Sequence, residues 1–139
     1  MSDPKIIGIG GIFFKSIAPE KFKKWYAQHL GLVLNNYGAT FEMRHLKEPK
    51  KAKYIHWSLL PNDTDYFHPS NKPFMINYRV QEIEKLVRKL KRMGVEIIDK
   101  ITNFPYGKFV HILDPEGNAI ELWEPKEDFF DTMGVPTNK

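Results

Sequence analysis

Tyr106-Gly-Lys-Phe-Val-His-Ile-Leu-Asp-Pro-Glu-Gly-Asn-Ala-Ile-Glu-Leu-Trp-Glu-Pro125 reads as a β-hairpin. Residues 109–113 and 119–123 are short runs rich in aromatic and β-branched side chains, the composition of strands. Between them lies Asp114-Pro115-Glu116-Gly117. An Asp at the first turn position bonds backbone two residues on, Pro pre-sets φ, and Gly supplies φ > 0. That chemistry predicts a type I turn followed by a bulge at Gly117. If Asp114 pairs with Asn118, His111 faces Glu121 across the ladder. Alternation then puts Ile120 and Leu122 on one face and Glu121 on the other. A carboxylate between two core-forming residues either points to solvent from a one-sided sheet or carries chemistry.

The remaining sequence bounds the class. A chain of 139 residues, 42% hydrophobic and 27% charged, suits one ordinary globular domain spanning residues 1–139. Without cysteine it has no disulfide framework and no thiolate zinc site. No apolar run approaches the roughly 20 residues of a membrane helix, and the N-terminus lacks a signal-peptide core. A cytoplasmic protein with no membrane partner is the expectation. The net charge of +4 is uneven: residues 1–60 carry ten Lys/Arg against four Asp/Glu, and residues 61–139 carry eleven against thirteen. The basic excess sits in Lys21-Phe-Lys-Lys24 and in the stretch from Lys47 to Lys53. The first is the polar side of a helix, the second reads as a loop, and no nucleic-acid motif accompanies either. No nucleic-acid partner is expected.

In chain order, residues 5–14 form an apolar strand interrupted by glycines, a sign of a bulge or of close approach by another group. Pro19 and Glu20 open a helix. Phe22, Trp25, Tyr26 and Leu30 make its apolar stripe, and Gly31 ends it. His29 reads as a helix C-terminal histidine. Residues 32–37, 40–46 and 54–60 read as strands, and 61–72 as a turn-rich connection. The pattern then restarts with a strand at 73–80 and a helix at 81–93 whose face is Ile83, Leu86, Val87 and Leu90. Glu84 and Arg88 are spaced to pair along that helix. Gly94 ends it, and residues 95–100 read as a strand before the hairpin. His45 and His68 read as solvated, and Asp63-Thr-Asp-Tyr-Phe67 as turn chemistry.

The order strand, helix, three strands thus occurs twice, with 63 residues between the helix-ending glycines. Such repetition indicates two copies of one unit burying their faces together. The predicted fold is α+β: two βαβββ modules, at about residues 5–60 and 73–125, form a curved mixed sheet around a central cavity. Residues 126–139 form a tail, with Phe129, Phe130 and Met133 among acids, that docks on the domain or on a second subunit.

This duplication resembles the glyoxalase, bleomycin-resistance and extradiol-dioxygenase (vicinal oxygen chelate) superfamily. Asp114-Pro-Glu-Gly-Asn-Ala-Ile-Glu-Leu122 is similar to its C-terminal signature. Trp25-Tyr-Ala-Gln-His-Leu-Gly-Leu32 and Phe74-Met-Ile-Asn-Tyr-Arg-Val80 resemble its first helix and its second module's opening strand. The resemblance covers residues 5–125. It implies a cavity that in the family's enzymes holds one divalent metal, and often a homodimer. The final-strand ligand falls on Glu121 and the first-strand ligand on Gly11. The ligand opening the second module falls near Met75, and the fourth-strand position near His56. Glycine offers no ligand, and a thioether is a poor one for hard ions. No metal cofactor and no glyoxalase I or extradiol-dioxygenase activity are therefore expected. The alternative is a remodelled zinc, iron, manganese or nickel site made from Glu121, His56 and His111.

Alternation places Phe13 and Lys15 on Gly11's face, Asn77 and Arg79 on Met75's, Ser58 on His56's and Trp123 on Glu121's. The candidate substrate-binding residues are Phe13, His56, Met75, Asn77 and Trp123, around an aromatic pocket with a few polar groups, as small-molecule sites have. His111 and Glu121 are the candidate catalytic pair, acting as acid and base, or else a buried hydrogen-bonded pair that satisfies two polar groups. Two functions remain open from sequence: a protein that binds a small organic molecule between modules without metal, or a lyase, isomerase or dioxygenase.

Overall fold

The computed structural model describes residues 3–139. The first module comprises β1 (Ile6–Ser16), α1 (Pro19–Leu30), β2 (Leu34–Asn35), β3 (Gly38–Arg44) and β4 (Ala52–Pro61). The second comprises β5 (Phe74–Val80), α2 (Ile83–Arg92), β6 (Thr102–Phe104), β7 (Gly107–Leu113) and β8 (Ala119–Pro125), and a short α3 (Asp128–Asp131) follows. All eight strands join one open curved sheet in the order β2-β3-β4-β1-β5-β8-β7-β6. Within each module the first and last strands run parallel, β1 with β4 and β5 with β8, and the modules meet along the antiparallel pair β1 and β5. This is the expected fold class.

The hairpin register is as the sequence predicted. Asp114 N–H donates to Asn118 O and Gly117 N–H to Asp114 O, both at 3.0 Å. Gly117 has φ +82°, and His111 pairs with Glu121. Pro19 opens α1, and Gly31 closes it with φ 70°. α1 nevertheless packs loosely. It has no buried residue, and its main anchor is Tyr26, whose ring lies 4.8 Å from that of Trp57. α2 carries the principal core. Ile83, Leu86 and Val87 are buried against Val80, Val110, Ile112 and Leu122, with Leu90 packed alongside. Its first turn is capped from outside, where Ile83 N–H donates to Glu124 Oε1 at 2.7 Å.

Four expectations need correction. Glu84 pairs not with Arg88 but with Lys108, at 2.5 Å across to β7. The strand read at 32–37 shrinks to β2, and the one read at 40–46 shifts to β3, leaving His45 outside it. The strand read at 95–100 is not a strand: Ile97 makes one isolated bridge to Ile112, and the ladder resumes only at β6. The reason is Asp99, whose Oδ1 takes the His111 N–H at 2.7 Å and substitutes for a ladder bond. Residues 99–101 bulge out as a result.

The tail docks on its own domain. Asn138 forms a parallel bridge with Phe41 on β3. Its N–H and C=O bond Thr40 O and Glu42 N at 2.7 Å each, which covers a sheet edge. Among the described residues no helix is long and apolar enough to cross a membrane.

Leu86→Ala removes a side chain from the centre of the α2 core and should destabilise the fold by about 2–5 kcal/mol. Urea unfolding of the variant against the parent measures this.

Candidate functional site

Strand register aligns one polar row across the concave face. Thr40 pairs with His56, His56 with Gly11, Gly11 with Asn77, Asn77 with Glu121, and Glu121 with His111. Residues paired in register point to the same face, so β3, β4, β5, β8 and β7 each add one polar side chain and β1 adds a gap.

Glu121, 2% exposed, is the centre of the row. Its Oε1 accepts a hydrogen bond from Asn77 Nδ2 at 2.6 Å. Its Oε2 accepts from the Tyr66 hydroxyl at 2.5 Å and from His111 Nε2 at 2.7 Å. His111 Nδ1 in turn faces Asp99 Oδ2 at 2.6 Å. Both ring nitrogens of His111 thus meet carboxylate oxygens, and both can donate only when the ring is protonated. Burial opposes that charge, but the bonds and charges of Glu121 and Asp99 outweigh it and raise the His111 pKa above its ordinary 6.5. Tyr66 is held protonated: burial and the Glu121 carboxylate beside it both push its pKa up.

His56 behaves oppositely. Burial, and after it the charge of Arg79, lower its pKa to about 4. Its ring lies 4.9 Å from Phe130 and 5.4 Å from Trp123, and Nδ1 is 3.4 Å from Thr40 Oγ1. Arg79 lies beneath Trp123, its guanidinium 5.2 Å from the indole centre. The guanidinium is held by Tyr54 O at 2.9 Å and by Glu127, the residue that leads into α3. Glu127 also accepts from Tyr54 N–H at 3.0 Å and faces His45 Nε2 at 2.8 Å. His45 is thus a tail contact that stays partly exposed.

Glycines in β1 make room for this arrangement. A Cβ at Gly10 would lie 2.2 Å from Asn77 Oδ1 and 2.8 Å from Trp123 Cε3. The amide and the indole can cross β1 only because nothing projects there.

The row opens into a cavity of about 510 Å³. Phe13, Tyr37, Phe104, Tyr106, Phe109, Trp123, Phe129 and Phe130 form most of its wall, with His56, Tyr66, Asn77, Asp99, Thr102, His111 and Glu121 as its polar members. Of the candidate residues, Phe13, His56, Asn77, His111, Glu121 and Trp123 all line it. Met75 does not: it is fully buried with Phe67 and Ala119 below the cavity. Lys15 lies in a second groove beside α1. Alternation gave the correct face for Met75 but the wrong row: the β1–β5 and β5–β8 registers put Asn77, one residue pair further along β5, beside Gly11 and Glu121.

Sequence reasoning missed Tyr66 and Asp99. Tyr66 lies in the connection between modules, where only an aromatic among turn residues marked it. Asp99 was hidden in a segment read as a strand.

The sequence profile of the Glyoxalase/Bleomycin resistance protein/Dioxygenase superfamily matches residues 17–122. The chain belongs to this superfamily. No curated protein matches it in sequence. Superfamily structures superpose along most of its length. The methylmalonyl-CoA epimerase of Mycobacterium tuberculosis does so with TM-score 0.59 and 17% identity, covering 91% of this chain and 93% of its own. A Streptomyces coelicolor methylmalonyl-CoA epimerase variant bound to 2-nitronate-propionyl-CoA gives 0.61 at 12% identity, covering 87% and 96%. A superfamily member from Vibrio splendidus gives 0.54 at 9%, covering 86% and 99%. At such identities these likenesses show the fold alone.

The donor set here does not fit the superfamily's metal. Gly11 has no side chain, and Asn77 directs its amide NH₂ at Glu121. Both Glu121 oxygens already accept hydrogen bonds, and His111 has no free lone pair. His56 lies three strands from Glu121, roughly 14 Å along the sheet at the usual strand spacing. Among the described residues no three His, Asp or Glu side chains converge as a metal site would require, so His56 does not join Glu121 and His111.

The two histidines should titrate in opposite directions by NMR, His111 above 6.5 and His56 near 4. Stability from His111 is complete below pH 6.5 and lost as pH rises through its raised folded value. Stability from neutral His56 is present above pH 6.5 and lost as pH falls from there towards about 4. Asp99→Asn should lower the His111 midpoint and leave that of His56 in place. Gly10→Ala should displace Asn77 and Trp123, seen as shifted His111 and Trp123 side-chain resonances.

Proposed function

We propose that this superfamily member binds a small aromatic organic molecule in the cavity between its modules, without a metal. One observation carries the reading: among the described residues the only charged groups on the cavity wall are closed into the Asp99–His111–Glu121–Tyr66 network, and the surrounding wall is aromatic. Such a wall provides stacking and edge contacts worth about 0.5–1.5 kcal/mol per aromatic pair. A cavity of about 510 Å³ falls within the usual range for small-molecule sites. The acyl-CoA substrates of the epimerases fit it poorly, because no lysine or arginine lines it to meet a carboxylate or phosphate.

A second reading is a metal-free acid–base enzyme. The short Tyr66–Glu121 bond favours it, since a phenol and a carboxylate at one wall can hold and return a proton. In that reading Glu121 would take a proton from bound substrate, and Tyr66 or the His111 imidazolium would supply one.

Two measurements test the proposal. Elemental analysis of protein purified without added ions should find no stoichiometric metal; one zinc, nickel, iron or manganese per chain, lost on Glu121→Gln, would overturn it. Fluorescence titration with N-phenylnaphthylamine, a neutral dye, should show one saturable site, weakened several-fold by Tyr106→Ala and by Phe130→Ala. Dye binding indifferent to both changes would place the dye elsewhere and remove the support for this cavity.

A further inference from the structure

We propose that the occupant of this cavity is a protonated amine carried on an aromatic or aryl-alkyl body. The inference rests on the binding role proposed above and adds the charge and hydrogen-bonding character of the ligand.

The first observation is a charge contrast. The protein has 21 Lys/Arg against 17 Asp/Glu, yet the cavity wall carries two carboxylates, Glu121 and Asp99, and no lysine or arginine. The nearest buried guanidinium, Arg79, is behind Trp123 and neutralised by Glu127. His111, protonated between the two carboxylates, cancels one of their charges. His56 is neutral near pH 7 because burial lowers its pKa to about 4. The wall therefore carries one uncompensated negative charge, shared between buried Glu121 and exposed Asp99, in an aromatic setting. There a positive ligand gains far more than it would in water.

The second observation is a shortage of donors. The Tyr66 hydroxyl, both His111 N–H groups and one Asn77 N–H are engaged by Glu121 and Asp99. Within this network what remains is acceptor, the Tyr66 oxygen and the unused carboxylate lone pairs, while the Tyr37 and Tyr106 hydroxyls elsewhere on the wall can donate or accept. Beside Glu121 a ligand that brings N–H donors is matched, and one that brings only acceptors is not.

The third observation is the rings. Phe109 stacks on Trp123 at 5.9 Å and 11°, and Phe104 on Tyr106 at 5.3 Å and 3°. Phe130 stands nearly perpendicular to both Trp123 and Phe129, at 89° and 85°. Ring faces carry negative potential, so an ammonium near them is attracted by the rings as well as by Glu121. The aryl part of the ligand takes the stacking.

The test uses three probes of one shape: naphthylmethylamine as the cation, naphthylmethanol as the neutral isostere and naphthoate as the anion. Calorimetry on the full chain should show the amine binding at least about tenfold tighter than the alcohol, with naphthoate weakest, and this preference should shrink as salt is raised. In Glu121→Gln the amine should lose its advantage over the alcohol. If Glu121→Gln binds none of the three, Asp99→Asn is read the same way. An alcohol that binds as tightly as the amine, or a preference for naphthoate, overturns the amine proposal and leaves the binding cavity standing. Failure of all three to bind the parent protein overturns both.

Discussion

A buried carboxylate is the constraint on which the rest of the molecule depends. Removing an ion such as Glu121 from water costs on the order of several kcal/mol unless it is well bonded. Glu121 is 2% exposed and accepts from three donors, each from a different part of the chain: Asn77 of β5, Tyr66 of the connection and His111 of β7. These bonds pin the strand register, the path of the linking segment and the protonation of His111 at once. Asp99 extends the chain by one more charge, and the sheet bulges so that its carboxylate can reach both the His111 ring and the His111 backbone.

A second buried charge does comparable work between the modules and the tail. Arg79, from β5, is tied to Tyr54 of β4 and to Glu127 beyond β8. Glu127 also reaches His45. The aromatic residues of α3 are thereby held over the cavity mouth, and the tail continues to the β3 edge, where Asn138 completes the ladder. The two networks are separated by Trp123, whose indole stacks on Arg79 from one side and faces the cavity from the other. The two networks are thus kept apart: Arg79 is neutralised by Glu127 in one, and the carboxylates of Glu121 and Asp99 with His111 face the cavity in the other.

Glycine makes both layers possible. At the midline of the sheet, Asn77, Arg79 and Trp123 all lean across β1, and Gly10 leaves the space they fill. The same economy of side chain at Gly11 removes a ligand position that superfamily enzymes use.

Much of this was written locally in the sequence. The Asp114–Gly117 turn, the helix-ending Gly31 and the apolar face of α2 depend on residues within a few positions of one another, so composition and period sufficed. The duplication followed from those elements, and the pairing of His111 with Glu121 followed from the turn. What the tertiary structure alone decided are the contacts made at long range. Tyr66 reaches Glu121 across 55 residues and Glu127 reaches Arg79 across 48, and neither partner carries a local mark of the other. Asp99 was masked because its side chain, not its backbone, completes the ladder. Alternation identified the inward face of β5 but not its row, because the pairing of β5 with β8, whose partners Asn77 and Glu121 are 44 residues apart in the chain, sets whether Met75 or Asn77 stands beside Glu121. Face is encoded in a two-residue period; depth, row and closure depend on how the sheet curves and how the connections return over it.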